Sequence, residues 1–406
     1  MSSPLSRRSL LEASFNASAG LLAIRPAVTG LGLRDVWAQG TPGSFNVKDF
    51  GAKGDGASDD SGAFQSAITA AGRVNGVVLV PPSGAKYVVG RPLELTANIR
   101  IQGPGGRGPV IQFTNSNGAL FTFVGTREAE ELNVAMSHLT LEHAVAGSGT
   151  AIRVRNFSGL FLHHLSINHF DCGVWADWGI GVHLFGCGLA HNTRALQVGG
   201  SGQPGGLRMG DRKDDSFMDT VVIDSCSFAQ NLIDINDMGS TRSLGTLAVR
   251  DSSFYEAYSN PVANKALYIR VTNRKGVTVS GNWFECGQPL RTLIYIGNVD
   301  LDGAPTGICH GVTIFGNDFL HTGRENAVGI DLVRCEAATI FSNCFEFASA
   351  NAPIRLADTV GISTVLQNAY VTYPDRDQYP NPLTGAVTHH QILDPRLQGT
   401  THVGGS

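Results

Sequence analysis

From about residue 134 the chain repeats one short pattern, in which apolar and polar positions alternate, reach a turn residue and close on an apolar anchor. "VAMSHLTL" ends at Leu141, "LFLHHLSI" at Ile167, "VHLFGCGL" at Leu189, "VVIDSCSF" at Phe228 and "LAVRDSSF" at Phe254. "VTVSGNWF" then ends at Phe284, "VTIFGNDF" at Phe319, "ATIFSNCF" at Phe345 and "STVLQNAY" at Tyr370, with 22–39 residues between successive anchors. Alternation predicts a strand with one buried face. A second short strand follows each anchor: "GVWAD", "ALQV", "LIDIND", "ALYIRV", "TLIYIG", "AVGIDLV" and "PIRLAD". Two or three strands per repeat, many times over, predict a chain wound as a parallel β-helix, because one coil cannot bury its own apolar face and a stack of coils can. A propeller would repeat more evenly and would show Asn-Gly hairpin turns.

Two residues before the anchors stand Cys187, Cys226, Ser252, Asn282, Asn317, Asn343 and Asn368. Stacked coils bring such positions about 4.8 Å apart, close enough for small polar side chains to bond to neighbouring turns. These residues are expected to form an internal ladder rather than a binding site.

Ahead of the repeats, "FNVKDFGAKGDGASDD" leads into a segment in which Phe64, Ala67, Ile68 and Ala71 share a helical face, with Asp59 or Asp60 as N-cap. The Gly51, Gly54 and Gly56 series lacks the alternating ligands and distant Glu of a calcium loop and the lysine of a phosphate loop. A solenoid needs its first coil covered, so this stretch reads as a cap. The expected organisation is an export signal over residues 1–38, cap and first coil over 39–110, β-helix over 111–373 and a C-terminal tail over 374–406.

Composition refines this. Fifty glycines in 406 residues fit many tight turns. Arg7 and Arg8 precede a weakly apolar stretch, and Ala38 ends a small-residue cleavage signal, a pattern resembling a twin-arginine export signal. Glu12 stands where such signals often carry lysine. Export implies a periplasmic or extracellular protein, and no segment predicts membrane insertion. Residues 1–38 hold four Arg and two acids, so the remaining chain carries a net charge of −6, which excludes a nucleic-acid partner. The seven cysteines have no zinc spacing, and disulfides are permitted without being required.

"VKDFGAKGDGASDDSGAFQSAI", "GVVLVPPSGAKYVV" and "NIRIQG" together resemble the start of the pectate-lyase-like, rhamnogalacturonase/epimerase-type family. The resemblance implies an all-β, right-handed parallel β-helix with an N-terminal capping helix, mostly exported and acting on or binding polysaccharides. It leaves lyase, hydrolase, epimerase and adhesin open. The polygalacturonase motifs are missing apart from an isolated Asp214–Asp215 and a "CHG" at Cys309–Gly311, so that hydrolase assignment is not supported.

Alternation along the second strands places Ile233 and Ile235 inward and Asp234 and Asn236 outward. The same rule exposes Arg155, Trp175, Asp177, Gln197, Tyr268, Arg270, Asp331 and Arg355, while His169, His191, Gln230, Glu256 and His321 form a column just after the anchors. Acids, histidines, arginines and aromatic rings on one flank suit a sugar chain. The expected catalytic set is Asp177, His191, Asp234, Glu256 and Arg270. Arg155, Trp175, Asn236, Tyr268, Asp331 and Arg355 are expected to bind substrate. The insertion from His191 to Asp219, with Asp211, Arg212, Lys213, Asp214 and Asp215, is a plausible wall. Hydrolysis needs two carboxyls of split pKa, for which Asp177 with Asp234, or Asp234 with Glu256, are the available pairs. Elimination needs Arg270 or a Ca²⁺ ion to neutralise a uronate carboxylate and a base such as His191. No cofactor is required and Ca²⁺ is possible. The expected function is an exported enzyme, monomer or homotrimer, cleaving an acidic or complex polysaccharide; the alternative is a noncatalytic or tailspike-like glycan-binding β-helix.

Overall fold

A computed structural model describes residues 43–96, 98–106, 108–125, 133–199, 218–238, 245–255, 267–272, 274–286, 292–297, 309–321, 328–347, 353–357, 363–371, 383–384 and 390–392. The export signal, residues 200–217, Glu256 and nearly all of the tail lie outside them.

All the strand pairs within the described residues are parallel, and they form three ladders. One runs through Leu93–Glu94, Ala119–Val124, the first halves of Ser148–His163 and Phe170–Phe185, then Arg194–Gly199, Ile233–Met238, Leu267–Thr272, Thr292–Gly297, Val328–Val333 and Ile354–Ala357. This is the groove face. A second ladder takes the second halves of the two long strands together with Met218–Asp224, Leu247–Arg250, Lys275–Ser280, Cys309–Phe315 and Cys335–Phe341. The third holds the anchors, in the expected register: Leu141, Ile167, Leu189, Phe228, Phe254, Phe284, Phe319, Phe345, Tyr370. The chain passes from groove face to second face to anchor face and back, the winding of a right-handed parallel β-helix.

Stacking explains why the anchors are phenylalanines. Phe228, Phe254, Phe284, Phe319 and Phe345 lie nearly parallel, with centroids 4.6–5.0 Å apart, so each ring fills the interval between coils. On the groove face the core column is Ile152, Val174, Leu196, Ile235, Ile269, Ile294, Ile330 and Ile354.

The corner between second face and anchor face is always two residues long from His138 onward. Its first residue is left-handed in every coil: His138, His164, Gly186, Ser225, Asp251, Gly281, Gly316, Ser342 and Gln367 have φ from 46° to 66°. The second residue builds the ladder. Asn317 Oδ1 accepts from the backbone N of Asn282 (3.0 Å) and from its Nδ2 (2.9 Å), Asn343 serves Asn317 likewise, and Asn368 serves Asn343. Ser252 accepts from Cys226 N at 3.0 Å and Asn282 from Ser252 N at 3.0 Å. Cys187 and Cys226 are the first rungs, as expected, and their thiols lie against each other.

A helix, α1 (Ser61–Gly72), buries Phe64, Ala67, Ile68 and Ala71 against the first-coil strands. Asp59 supplies the capping oxygen to Ser61 N at 3.0 Å. Asp60 instead closes the preceding loop, accepting from Lys53 N (2.6 Å) and Gly54 N (3.1 Å). Asp55 accepts from Ala57 N and Ser58 N, which holds its pKa down at about 2. The acids of this loop therefore fold the loop.

Candidate functional site

From His138 onward, the longer connections between the described strands leave the two edges of the groove face. They fall between Gly199 and Met218, Met238 and Leu247, and Gly297 and Cys309 on one edge, and between Tyr255 and Leu267, Cys286 and Thr292, and His321 and Val328 on the other. In these coils the third corner stays two residues long, so this sheet face is the one the topology flanks on both sides.

Its outward column reads Arg153, Trp175, Gln197, Asn236, Arg270, Tyr295, Asp331, Arg355, one residue per coil. Gln197, Asn236, Arg270 and Asp331 lie opposite the core column, yet each is at most 4% exposed. A hydrogen-bonded chain holds Arg270: its Nη1 donates to Asn236 Oδ1 at 3.3 Å, Asn236 Nδ2 donates to Gln197 Oε1 at 2.6 Å, and Gln197 Nε2 donates to Gly199 O at 2.9 Å. Asp331 takes a bidentate ion pair from Arg355, with Nε to Oδ1 at 2.8 Å. Tyr295 stands between Arg270 and Asp331, and a Cβ on Gly297 would lie 2.6 Å from its hydroxyl, so glycine there makes room for the phenol.

Toward the N-terminal end of the column, the Arg153 guanidinium lies 4.6 Å from the centre of the Trp175 ring. Two residues along the same strand Asp177 faces the same side, with Oδ2 3.9 Å from Arg155 Nε. Burial pushes the Asp177 pKa up, against the pull of Arg155 and Arg153.

Two expected orientations are corrected. From Ala119–Val124 to Val328–Val333 the pairing of this face passes over one residue per strand, namely Leu120, Ala151, Gly173, Ala195, Asp234, Tyr268, Leu293 and Gly329. This stacked, bulge-like irregularity turns the omitted residue inward along with its successor. Strict alternation therefore misplaces Asp234 and Tyr268. Tyr268 packs beside Phe254 and Phe284 with its hydroxyl on Glu285 O. Asp234, 1% exposed, accepts from Asn231 Nδ2 at 2.8 Å, and burial raises its pKa well above the ordinary carboxyl value. Neither faces the groove.

His191 is the third correction. It has φ 56° at the turn into the groove face and stacks on His169, with centroids 5.2 Å apart. Burial and the His169 charge lower its pKa. It stands in the turn ahead of Arg194–Gly199, outside the outward column that carries Gln197 and Arg270. Glu256 and the side chain of His321 lie outside the described residues.

Sequence reasoning overlooked four residues. Arg153 and Tyr295 were readable, since they share the outward column with Trp175 and Arg270. Asp237 lies in an inward column between Val198 and Val271, and alternation from Ile235 pointed there. Its partner Arg274 had no local signal. Arg274 Nε donates to Asp237 Oδ2 at 2.7 Å and Nη1 to Met218 O and Asp219 O at 2.7 and 2.8 Å, with both side chains fully buried.

Among the described residues, one group of metal-binding side chains comes together: Asp318, Cys344 and Glu346, with ligand atoms within 4.8 Å, on the anchor face. A thiol does not suit Ca²⁺, which takes oxygen ligands, and this group is not on the groove face. No helix among the described residues is long and apolar enough to cross a membrane.

Residues 44–140 match the family described as "Rhamnogalacturonase A/epimerase, pectate lyase-like". The chain is thus a parallel β-helix whose first coils match that family. It is 39% identical over 109 residues to mannuronan C5-epimerase AlgE3 of Azotobacter vinelandii, a match covering 24% of this chain and 6% of that protein. It is 42% identical over 77 residues to alginate lyase 7 of the same organism, covering 18% of this chain and 9% of the lyase. The chain thus spans a small fraction of these relatives. The tailspike protein of Acinetobacter baumannii phage AM24 superposes with a TM-score of 0.53 over 83% of this chain and 56% of the tailspike at 15% identity, a likeness of fold alone.

Proposed function

We propose that this protein acts on an acidic, uronate-containing polysaccharide laid along the groove face, by removing a proton beside a sugar carboxylate. The observation that carries this is Arg270: an outward-facing guanidinium, 1% exposed, held by the Asn236–Gln197 chain at the middle of a polar and aromatic column. A fixed buried cation offers a carboxylate a partner for its negative charge, and that charge grows when the adjacent carbon loses its proton. Tyr295, one coil away, is the nearest acid–base side chain of that column.

Among the described residues, hydrolysis is less well served. Asp234 faces inward, Asp331 is committed to Arg355, and Asp177 lies five coils from Asp331, about 24 Å at the strand spacing. That is far beyond the separation of an inverting carboxyl pair. The names of the relatives make mannuronan and alginate the first polymers to try, and export through the Arg7–Arg8 signal would bring the protein to them.

Incubation with polymannuronate and polygalacturonate in deuterated buffer tests the reading. Unsaturated uronate ends, or deuterium at the carbon next to the carboxylate, support it, and Arg270→Ala should abolish both. New reducing ends without unsaturation would replace it with hydrolysis. Retention on the polymer with no chemical change would replace it with the noncatalytic binder.

A further inference from the structure

On the groove face two buried polar atoms lack a hydrogen-bond partner within one strand and on one side of it: Trp175 Nε1 and Asp177 Oδ1. Both residues are 8% exposed. A buried donor or acceptor left unpaired costs about 1–3 kcal/mol, and two such atoms two residues apart on an outward face are unusual for a purely structural role. Their neighbours fix them. Arg153 lies over the indole ring, and Arg155 sits by the other oxygen of Asp177.

We propose that Trp175 and Asp177 form a hydroxyl-reading subsite of the groove, so that the protein selects uronate chains over short fragments. This rests on the acidic-glycan reading above. The indole N–H needs an acceptor, and the carboxyl oxygen disfavours an anion and takes a donor. Neighbouring sugar hydroxyls supply one of each, whereas a carboxylate supplies acceptors alone. Trp175 is separated from Arg270 by three coil steps, through Gln197 and Asn236, or about 14 Å. A sugar unit advances about as far as one coil, so a chain with its carboxylate on Arg270 reaches Trp175 with its fourth unit. A disaccharide cannot occupy both.

The test is calorimetric binding of an oligouronate disaccharide, tetrasaccharide and hexasaccharide to the full chain, its Trp175→Phe variant and its Asp177→Leu variant. Near-ultraviolet circular dichroism checks that the variants are folded. The wild type should bind the two longer chains at least tenfold more tightly than the disaccharide. Trp175→Phe keeps a ring under Arg153 and removes the N–H; it should weaken the longer chains about tenfold, the equivalent of one hydrogen bond, and leave the disaccharide unchanged. Asp177→Leu, of similar size but without an acceptor, should show the same length-dependent loss. Equal affinity for all lengths, or variants indistinguishable from wild type, overturns the subsite alone. Failure of the wild type to bind any oligouronate overturns the acidic-glycan reading and the subsite with it.

Discussion

Asp234→Asn exchanges one oxygen for a nitrogen inside the solenoid and removes a titratable group. In the folded protein the carboxyl is 1% exposed, has a single hydrogen bond on Oδ1 from Asn231, and has no partner on Oδ2. Burial therefore favours the neutral acid and raises its pKa well above 3.8. The unfolded chain gives up that proton near its ordinary pKa, so between the two pKa values the folded state holds more protons than the unfolded one. Stability then falls as pH rises, by about 1.4 kcal/mol per pH unit, until the folded-state pKa is passed. Below pH 4 this penalty is absent. The asparagine variant keeps the amide–carbonyl contact with Asn231 and has no such slope. Urea unfolding of wild type and variant from pH 4 to 9 should give curves that lie close at acid pH and diverge above it, with the variant more stable. Activity on the polymer should be unaffected, because the side chain faces away from the groove. Parallel stability curves, or a variant less stable at pH 8, would refute the buried neutral acid; loss of activity with folding intact would refute its inward orientation.

Arg274→Ala should cost about 3–5 kcal/mol, since it strands a buried Asp237 charge. The double replacement Asp237→Leu with Arg274→Met should recover most of that in the same unfolding assay. Asn343→Ala removes the acceptor of both Asn317 N and Asn317 Nδ2 and should cost about 2 kcal/mol or more, whereas exposed Ser342→Ala one position away should change little. Gly297→Ala places a methyl against the Tyr295 hydroxyl and should lower turnover on a uronate polymer while leaving thermal stability nearly unchanged; wild-type turnover would remove Tyr295 from the chemistry.

The chain's own repetition made the coils legible. Aligning Phe284, Phe319 and Phe345 reproduces the strand register of the anchor face, and the Asn282–Asn368 series reproduces its hydrogen-bonded ladder. The groove column was readable for the same reason, down to Arg270 and Asp331. What alternation could not supply was the omitted residue at the bend into the groove face. A period-2 rule carries no mark of a bulge, so Asp234 and Tyr268 came out on the wrong side. The Arg274–Asp237 pair escaped because its partners lie 37 residues apart, joined only by the pitch of the winding. His191 was misjudged for a related reason: it belongs to the turn ahead of the strand and not to the column the strand carries.

The two-residue corner also determines how such a molecule can change length. Cuts made at equivalent points of that corner, for instance before Asn282 and before Asn317, release a whole turn whose ends present matching amides. The flanking turns can then close on each other with Ser252 N donating to Asn317 Oδ1 instead of to Asn282 Oδ1. Duplication works by the same geometry. A binding track on this frame is therefore extendable in steps of one sugar-sized interval without redesign of the interior, and the two variable edges can diverge in sequence while that third edge keeps count.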